Sequence, residues 1–537
     1  MDVTRVNFEN AYNLIRTSLS KKAAFVSIDT EFTSVSSYEP LNHSPMITDD
    51  FDVRYHKLSK ACADATLLQF GLSIFTPEKP GGSMVESCRH KEFSVRSFNV
   101  WLYPRCVPEF EQMTPQVFVF QTSSIEFLAK HGFDFNKSVN EGVGFMKKSQ
   151  QSLFVDLYDS DKYVNDEITS TINKWKRDED LTVQVPFNRT PRLLATKIRQ
   201  VYGLQTKVIE NNQILISPET APKDIEKDFV DIFGLSKIVD ALVESRLPII
   251  LHNGLMDIMY LFEHCLEPLP RDSLTFKRLC HRYFPTIFDT KHILLNIHEH
   301  SKDIFPNNLK TSLGPLYKVL CQTNDIKLEG VDNLRLLAGG VGDEFTYNRS
   351  FVIDPNGSNG KAHDAGFDAF MCGTAFIQLV KISKILEIEL TEYTNKINLI
   401  KAACPFTDLS SLCPDRLHSI SVHDFYLKNL FSHRKIDHIF TPFEFDIVNH
   451  DQPTADYLHL LVRCGKDGRD HLVKKWDKQR APENMKLYLQ NPKPLKNPYS
   501  LRKIMENRGK CFGKVISHVF VAVAAFAVSW MLASSKR

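Results

Sequence analysis

Five side chains in three widely separated patches could perform metal chemistry together. Asp29 and Glu31 flank Thr30; Asp257 ends the stretch His252-Asn253-Gly254-Leu255-Met256-Asp257; His363 and Asp368 bracket His363-Asp364-Ala365-Gly366-Phe367-Asp368. Four carboxylates supply the hard oxygen ligands that select Mg²⁺ or Mn²⁺ over softer metals. A histidine titrates near neutrality and can take a proton from water at pH 7. The reaction such a set supports is two-metal hydrolysis of a phosphodiester, with the ions about 3.5–4 Å apart. On this reading Asp29 bridges both ions, and Glu31 with Asp257 or Asp368 binds them separately. His363 orients and deprotonates the attacking water.

Local sequence indicates how the chain would position these groups. The apolar run Ala23–Ile28 reads as a buried strand. Residues two apart on a strand share a face, so Asp29 and Glu31 are expected to project together at its end. A bare Asp-x-Glu is more often an acidic strand end facing water. Here the buried run before it, and the other two patches, favour a ligand pair. A second apolar run, Leu247–Leu251, precedes Asp257, and the sequence from Leu255 onward has helical spacing. Asp257 then falls in a first helical turn, where the macrodipole alone also favours an acid. The segment after Asp368 is helical too. A helix would set residues 363 and 368 about 140° apart. His363 is therefore expected just before the helix start, bent back toward Asp368. Phe32, beside the acidic pair, could stack on a base or pack into the core.

Composition bounds the class. A chain of 537 residues exceeds one small domain, and 43% hydrophobic with 24% charged residues is ordinary for a globular protein. The net charge of +2 provides no global basic field for nucleic acid, so an RNA path must be a local groove. Eleven cysteines form no C-x-x-C pair, and the N-terminus carries no signal-peptide pattern, so reduced, cytosol-facing thiols are expected. Two loops stand out, Pro77–Ser83 and the glycine- and asparagine-rich Asp354–Gly360 just before His363. The second could gate the base or be a passive surface loop.

The tail differs from the rest. Residues 515–533 contain no formal charge. Nineteen helical residues span about 28 Å, close to a hydrocarbon core of about 30 Å. A C-terminal membrane anchor is the expectation. Upstream, residues 466–514 carry 14 Lys+Arg against 5 Asp+Glu, a balance of +9. Positive flanks stay cytosolic, which places the catalytic residues on that side. A short, moderately apolar span between basic flanks suits the mitochondrial outer membrane, with the endoplasmic reticulum as the alternative.

The three motifs, in this order, resemble the DEDDh exonuclease superfamily and, within it, the poly(A)-specific ribonuclease (PARN) family. Further shared stretches are Phe120–Ser124, Gly132–Lys137, Phe284–Lys291 and Thr311–Leu313. The resemblance implies an α/β ribonuclease H-like core with a small inserted α+β domain and, given the tail, a C-terminal transmembrane helix. It places the metal carboxylates at Asp29, Glu31, Asp257 and Asp368 and the base at His363, with two Mg²⁺ ions for which Mn²⁺ can substitute. The expected organisation is a nuclease in two parts, 1–155 and 226–403, around an inserted single-strand-binding-type domain, 156–225. A degenerate RNA-recognition-like or accessory region, 404–465, a basic linker, 466–514, and the anchor, 515–533, follow. The inserted segment holds Arg189, Arg192, Lys197 and Arg199 without a clean copy of the family's Arg-x-x-x-His signature.

A PARN-like core with a tail anchor is similar to the branch that trims piRNA 3′ ends. That likeness implies single-stranded RNA 3′ ends as substrate, PIWI-family Argonaute proteins as carriers and an outer-membrane Tudor-domain adaptor. Since PARN relatives can dimerise through the nuclease, it also implies a homodimer. A membrane-anchored deadenylase and a catalytically silent RNA-particle scaffold are the other two expectations.

Overall fold

The computed structural model describes residues 1–321 except 20–21, 39–44, 46–48, 80–81, 89–91, 106, 110–116, 222–228, 301–304 and 306–308. It further describes 335–338, 363–411 except 401 and 403–404, and four strands between 421 and 488. The described residues up to 411 fall in one compact unit, and the strands from 421 onward in a second.

In chain order the strands of the first unit are β1 (Asp2–Val3), β2 (Phe25–Phe32), β3 (Leu67–Pro77), β4 (Glu92–Trp101), β5 (Leu181–Gln184), β6 (Leu204–Ile209), β7 (Gln213–Thr220), β8 (Ile249–Leu251), β9 (Ile287–Asp289), β10 (Arg335–Ala338), β11 (Lys396–Asn398) and β12 (Phe406–Asp408). The central sheet has the order β1-β4-β3-β2-β8-β9. β2, β3 and β4 form an antiparallel meander, and β8 and β9 add in parallel beside β2. The outer edge of β4 is covered at one end by β1 and at the other by β10, both parallel. Strands are expected wherever apolar, β-branched runs end in turn residues, and the runs at 23–28 and 247–251 both become strands of this sheet.

Helices cover both faces. Alternation along β2 sends Val26 and Ile28 to one core, shared with helices Phe8–Ser18, Phe51–Asp64 and Leu255–Cys265. Phe25 goes to the other core, shared with helix Ala365–Ile385. On that second face the sheet is lined with small residues. Ser27 Oγ donates to Ala369 O at 2.6 Å. A Cβ on Gly71 of β3 would lie 1.8 Å from Ala365 O, and one on Gly373 would lie 2.2 Å from a Phe75 ring carbon. Glycine at both positions lets the helix backbone settle onto the sheet. This helix is long and apolar enough to cross a membrane, but nearly all of it is buried in the protein, so it is a core helix. The tail segment 515–533 lies outside the described residues, as does the loop 354–360.

Between β4 and β8 the chain builds a smaller α+β module. Strands β5-β7-β6 form an antiparallel sheet. Helices Lys148–Asp159, Asp166–Lys174 and Pro191–Tyr202 pack on a core of their own, which includes Phe154, Tyr158, Ile168, Leu194, Ile198 and Ile214. The sequence boundary at 155/156 falls inside the first of these helices. Helix Val230–Ser245 is kinked at Phe233 (φ −144°, ψ 33°). Phe233 and Ile232 belong to the module's core, while Leu235, Ile238, Val239 and Leu242 belong to the nuclease core. Two of the module's basic residues, Arg189 and Lys197, serve its own packing. Arg189 Nε donates to Tyr163 O at 3.0 Å, with its guanidinium 4.9 Å from the Tyr163 ring centre. Lys197 sits 5.2 Å from the Tyr158 ring centre.

The hairpin β11–β12 carries the first unit past residue 403. In the second unit, β13 (Ser421–Leu427), β14 (Asp446–Thr454), β15 (Tyr457–Arg463) and β16 (Met485–Tyr488) form an antiparallel sheet in the order β14-β15-β13-β16. β16 lies inside the stretch that charge and proline content assign to a linker; its four residues complete a sheet instead. Residues 458–462 lie in β15, while 439–440 and 443–445 lie outside the described residues. Cys62, Cys88, Cys265, Cys280 and Cys372 are free and buried.

Candidate active site

Asp29 and Glu31 leave the end of β2 on the face covered by helix Ala365–Ile385, one side-chain period apart. Asp368 lies in the first turn of that helix and is 9% exposed. Asp257 lies in the first turn of helix Leu255–Cys265. His363 precedes the cap of the Ala365–Ile385 helix and adopts a left-handed backbone (φ 71°), which is uncommon outside glycine. The reversal brings its ring to the acids. One ligand atom each from Glu31, His363 and Asp368 lie within 4.8 Å of one another. Three of the five residues are thus brought into ligand-sharing distance, and Asp29 and Asp257 lie near enough for their charges to act on this group.

Their electrostatics follow from crowding. Burial raises the carboxyl of Asp29 well above the usual range, and the charges of Asp257, Asp368, Glu31 and Asp364 push it further. Burial likewise raises Glu31, followed by Asp368, Asp257 and Asp364. Asp257 is raised to about 6 by burial, opposed by hydrogen bonds from Thr30. Asp368 is raised to about 7 by burial and the Asp364 charge, opposed by the His363 backbone N–H that donates to it. The charged neighbours that act on Asp29 and Glu31 are all carboxylates. Burial, and then the neighbouring His131, lower the His363 imidazole to about 4, so it is neutral at pH 7. Its ring is flanked edge-on by Phe127 at 4.5 Å and His131 at 4.1 Å between centres.

The helix that carries His363 and Asp368 is anchored by buried amides from the meander. Asp364 caps it, with Oδ1 accepting from Phe367 N at 3.1 Å. Asn99 of β4, fully buried, donates through Nδ2 to Asp364 Oδ2 at 3.0 Å and accepts from Gly366 N at 3.2 Å. Gln69 of β3 accepts from Ala365 N at 3.2 Å. The first-turn N–H groups that a helix leaves unpaired are thus matched by strand side chains. Asp257 is fixed by Thr30, whose hydroxyl donates to Oδ1 at 2.6 Å.

Sequence reasoning missed Thr30, Gln69, Asn99, Asp364, Phe127 and His131. Thr30 and Asp364 are neighbours of chosen residues; strand alternation hides the reach of Thr30, and Asp364 reads as an ordinary helix cap. Phe32 proves to be both packed and partly exposed. One face of its ring stacks on Tyr260 at 4.5 Å, and Tyr260 is held by its hydroxyl on Ser34 O.

An α/β sheet with two carboxylates on its central strand and two more on the adjoining helices is compatible with a hydrolase of the nuclease type. The model of the CAF1 family ribonuclease matches residues 3–376, and the chain belongs to that family, whose ribonuclease H-like fold it has. The chain is 26% identical over 475 residues to the pre-piRNA 3′-exonuclease trimmer of Bombyx mori, an alignment covering 80% of this chain and 82% of that one. It is 26% identical over 490 residues to the poly(A)-specific ribonuclease PARN of Homo sapiens, covering 79% and 70%. Among solved structures, S. pombe Pop2p in its Mg²⁺- and Mn²⁺-bound form overlaps 74% of this chain and 98% of its own length. The TM-score is 0.37 and the identity 16%.

Proposed function

We propose that this protein is a Mg²⁺-dependent 3′→5′ exoribonuclease of the DEDDh type that trims the 3′ ends of PIWI-bound piRNA precursors. The meeting of Glu31 and Asp368 with His363, with Asp29 and Asp257 coupled by charge to those two acids, carries the chemical part of this reading. An enclosure whose strongest mutual influences are carboxylate on carboxylate fits divalent cations. Those four residues would hold two Mg²⁺ ions, with Mn²⁺ able to substitute. When bound, the cations supply Lewis acidity and charge neutralisation for phosphodiester hydrolysis.

The chain's own groups do the rest. His363, neutral at pH 7, accepts the proton of the attacking water. Thr30 keeps Asp257 oriented, and Asn99 with Gln69 keeps the helix bearing Asp368 in place. Phe32, backed by Tyr260, offers a surface on which a terminal base stacks. The products are 5′-nucleoside monophosphates.

The substrate part rests on likeness to the Bombyx relative across four-fifths of both chains. With it come the PIWI carrier, the outer-membrane Tudor-domain adaptor, the tail anchor at 515–533 and the cytosolic face of the mitochondrial outer membrane. The equally identical PARN relative supports a second reading, a membrane-anchored deadenylase. Purified protein given free RNAs with poly(A) or mixed 3′ tails, and PIWI-loaded precursors, separates them. A trimmer shortens mixed tails and stops at the carrier's footprint. Strict dependence on adenine favours the deadenylase, and no Mg²⁺-dependent shortening leaves only the silent scaffold.

A further inference from the structure

The geometry points to Asp289 as a positioning residue for Asp257, acting through the left-handed turn at Asn253. This inference rests on the reading of Asp257 as a metal ligand. Asp289 ends β9, is 0% exposed, and spreads its carboxylate over three elements. Oδ1 accepts from Lys291 N at 2.9 Å and His292 N at 3.3 Å, capping helix Thr290–His300. The same oxygen accepts from Asn253 N at 2.9 Å, and Oδ2 accepts from Asn398 N of β11 at 3.0 Å. A helix cap needs only the first two bonds. Of the other two, one reaches the turn that opens a different helix, the one carrying Asp257 four residues on, and the second reaches β11.

That turn depends on support. Asn253 has φ 61°, in the left-handed region that is uncommon outside glycine and that asparagine enters when its polar groups are bonded locally. Its side-chain Oδ1 is held by Asn398 Nδ2 at 2.7 Å, so Asn398 bonds both the turn and the carboxylate that fixes it. Next, Gly254 has no room for a Cβ, which would lie 2.6 Å from Leu251 Cβ. The chain therefore leaves β8 in one narrow path. Asp289 is the group that bonds the backbone N–H of the left-handed residue itself. Without that bond, Asn253 relaxes toward ordinary backbone and the first turn bearing Asp257 rotates away from Asp29.

The test measures metal uptake directly, without RNA. Mn²⁺ binding to the full-length protein is followed by calorimetry alongside the thermal midpoint. Asp289→Asn, which replaces one acceptor oxygen with a donor, is expected to weaken Mn²⁺ binding about tenfold. Asn253→Ala, which leaves the helix cap intact, is expected to weaken it to a similar degree. Asn253→Gly in the Asp289→Asn background, where φ above zero carries no penalty, is expected to restore most of the affinity. A lower thermal midpoint in Asp289→Asn with unchanged Mn²⁺ affinity overturns the inference, as does an Asn253→Gly double variant that regains nothing. If the predicted pattern of Mn²⁺ binding appears in a protein that degrades no RNA, the proposed function fails and this inference stands.

Discussion

The Thr30 hydroxyl donates to Asp257 Oδ1 at 2.6 Å across 227 positions of sequence. The residue between two carboxylates of the site thus holds a third. A hydrogen bond to a charged group contributes about 1.5–3 kcal/mol. Thr30→Val keeps the shape and deletes the donor, so kcat/KM for RNA is expected to fall roughly 10- to 100-fold. Thr30→Ser should retain most of the activity. Single-turnover RNA decay measures both.

His363 is close enough to Glu31 and Asp368 to be a ligand, yet its neutral ring suits a base. His363→Ala is expected to lower kcat about 10²- to 10⁴-fold while leaving the half-saturating Mg²⁺ concentration nearly unchanged. A Mg²⁺ titration of activity in the variant decides, and a large rise in that concentration would make His363 a ligand.

The crowded acids set a pH dependence for the metal-free protein. Asp257 and Asp368 have folded-state values of about 6 and about 7, above their ordinary value. Between that ordinary value and those raised ones the folded chain binds more protons than the unfolded chain, so stability falls as pH rises. Buried His252, His264, His292 and His363 are all lowered and act in the opposite sense over part of this range, so the acids are isolated by comparison with Asp368→Asn. With chelator present, the variant's thermal midpoint is expected to gain on the wild type's between pH 5 and pH 8, by on the order of 5 °C. Mg²⁺ binds the ionised acids and should shrink the difference. The same pH dependence in variant and wild type under chelation would contradict the arrangement.

Gly71 faces the carbonyl of Ala365, with 1.8 Å left for a Cβ. Gly71→Ala must lift the N-terminus of the helix bearing Asp368. Overpacking of this kind costs about 1–3 kcal/mol, and the displaced carboxylate should reduce activity more than stability. Comparing kcat with the thermal midpoint in the same preparation tests this.

Deleting residues 511–537 is expected to make the protein soluble and diffuse in cells. Fractionation or imaging reads the result, and a truncated chain still on membranes would remove the anchor from the proposed function.

The elements that bear the acids were legible because local patterns announce them: apolar runs at 23–28 and 247–251, an acid pair at strand spacing, and helical spacing after 255 and 368. Gln69 and Asn99 were not. A polar residue in a strand ordinarily reads as solvent-facing, and their partners, Ala365 and Gly366, lie 296 and 267 positions away. Asp289 sat within the stretch 284–291 that resembles the PARN family, but nothing in its local sequence tells that its carboxylate meets Asn253. His131 ends a short surface helix, and only the fold brings its ring against His363. Module boundaries were blurred for a related reason. Helix Lys148–Asp159 runs across the expected border at 155/156, helix Val230–Ser245 lies past the one at 225/226 yet still shares the module's core, and charge content concealed β16.

The kinked helix Val230–Ser245 serves two masters. Its first turn is sealed inside the α+β module and the remainder inside the nuclease, with Phe233 at the join. Any attempt to excise the module and splice the flanking chain would leave Ile232 and Phe233 bare and unseat Leu235 and Ile238 beneath the catalytic sheet. The appendage and the enzyme are inherited together, so during divergence the module's contacts are free to drift only so far as that shared helix stays seated.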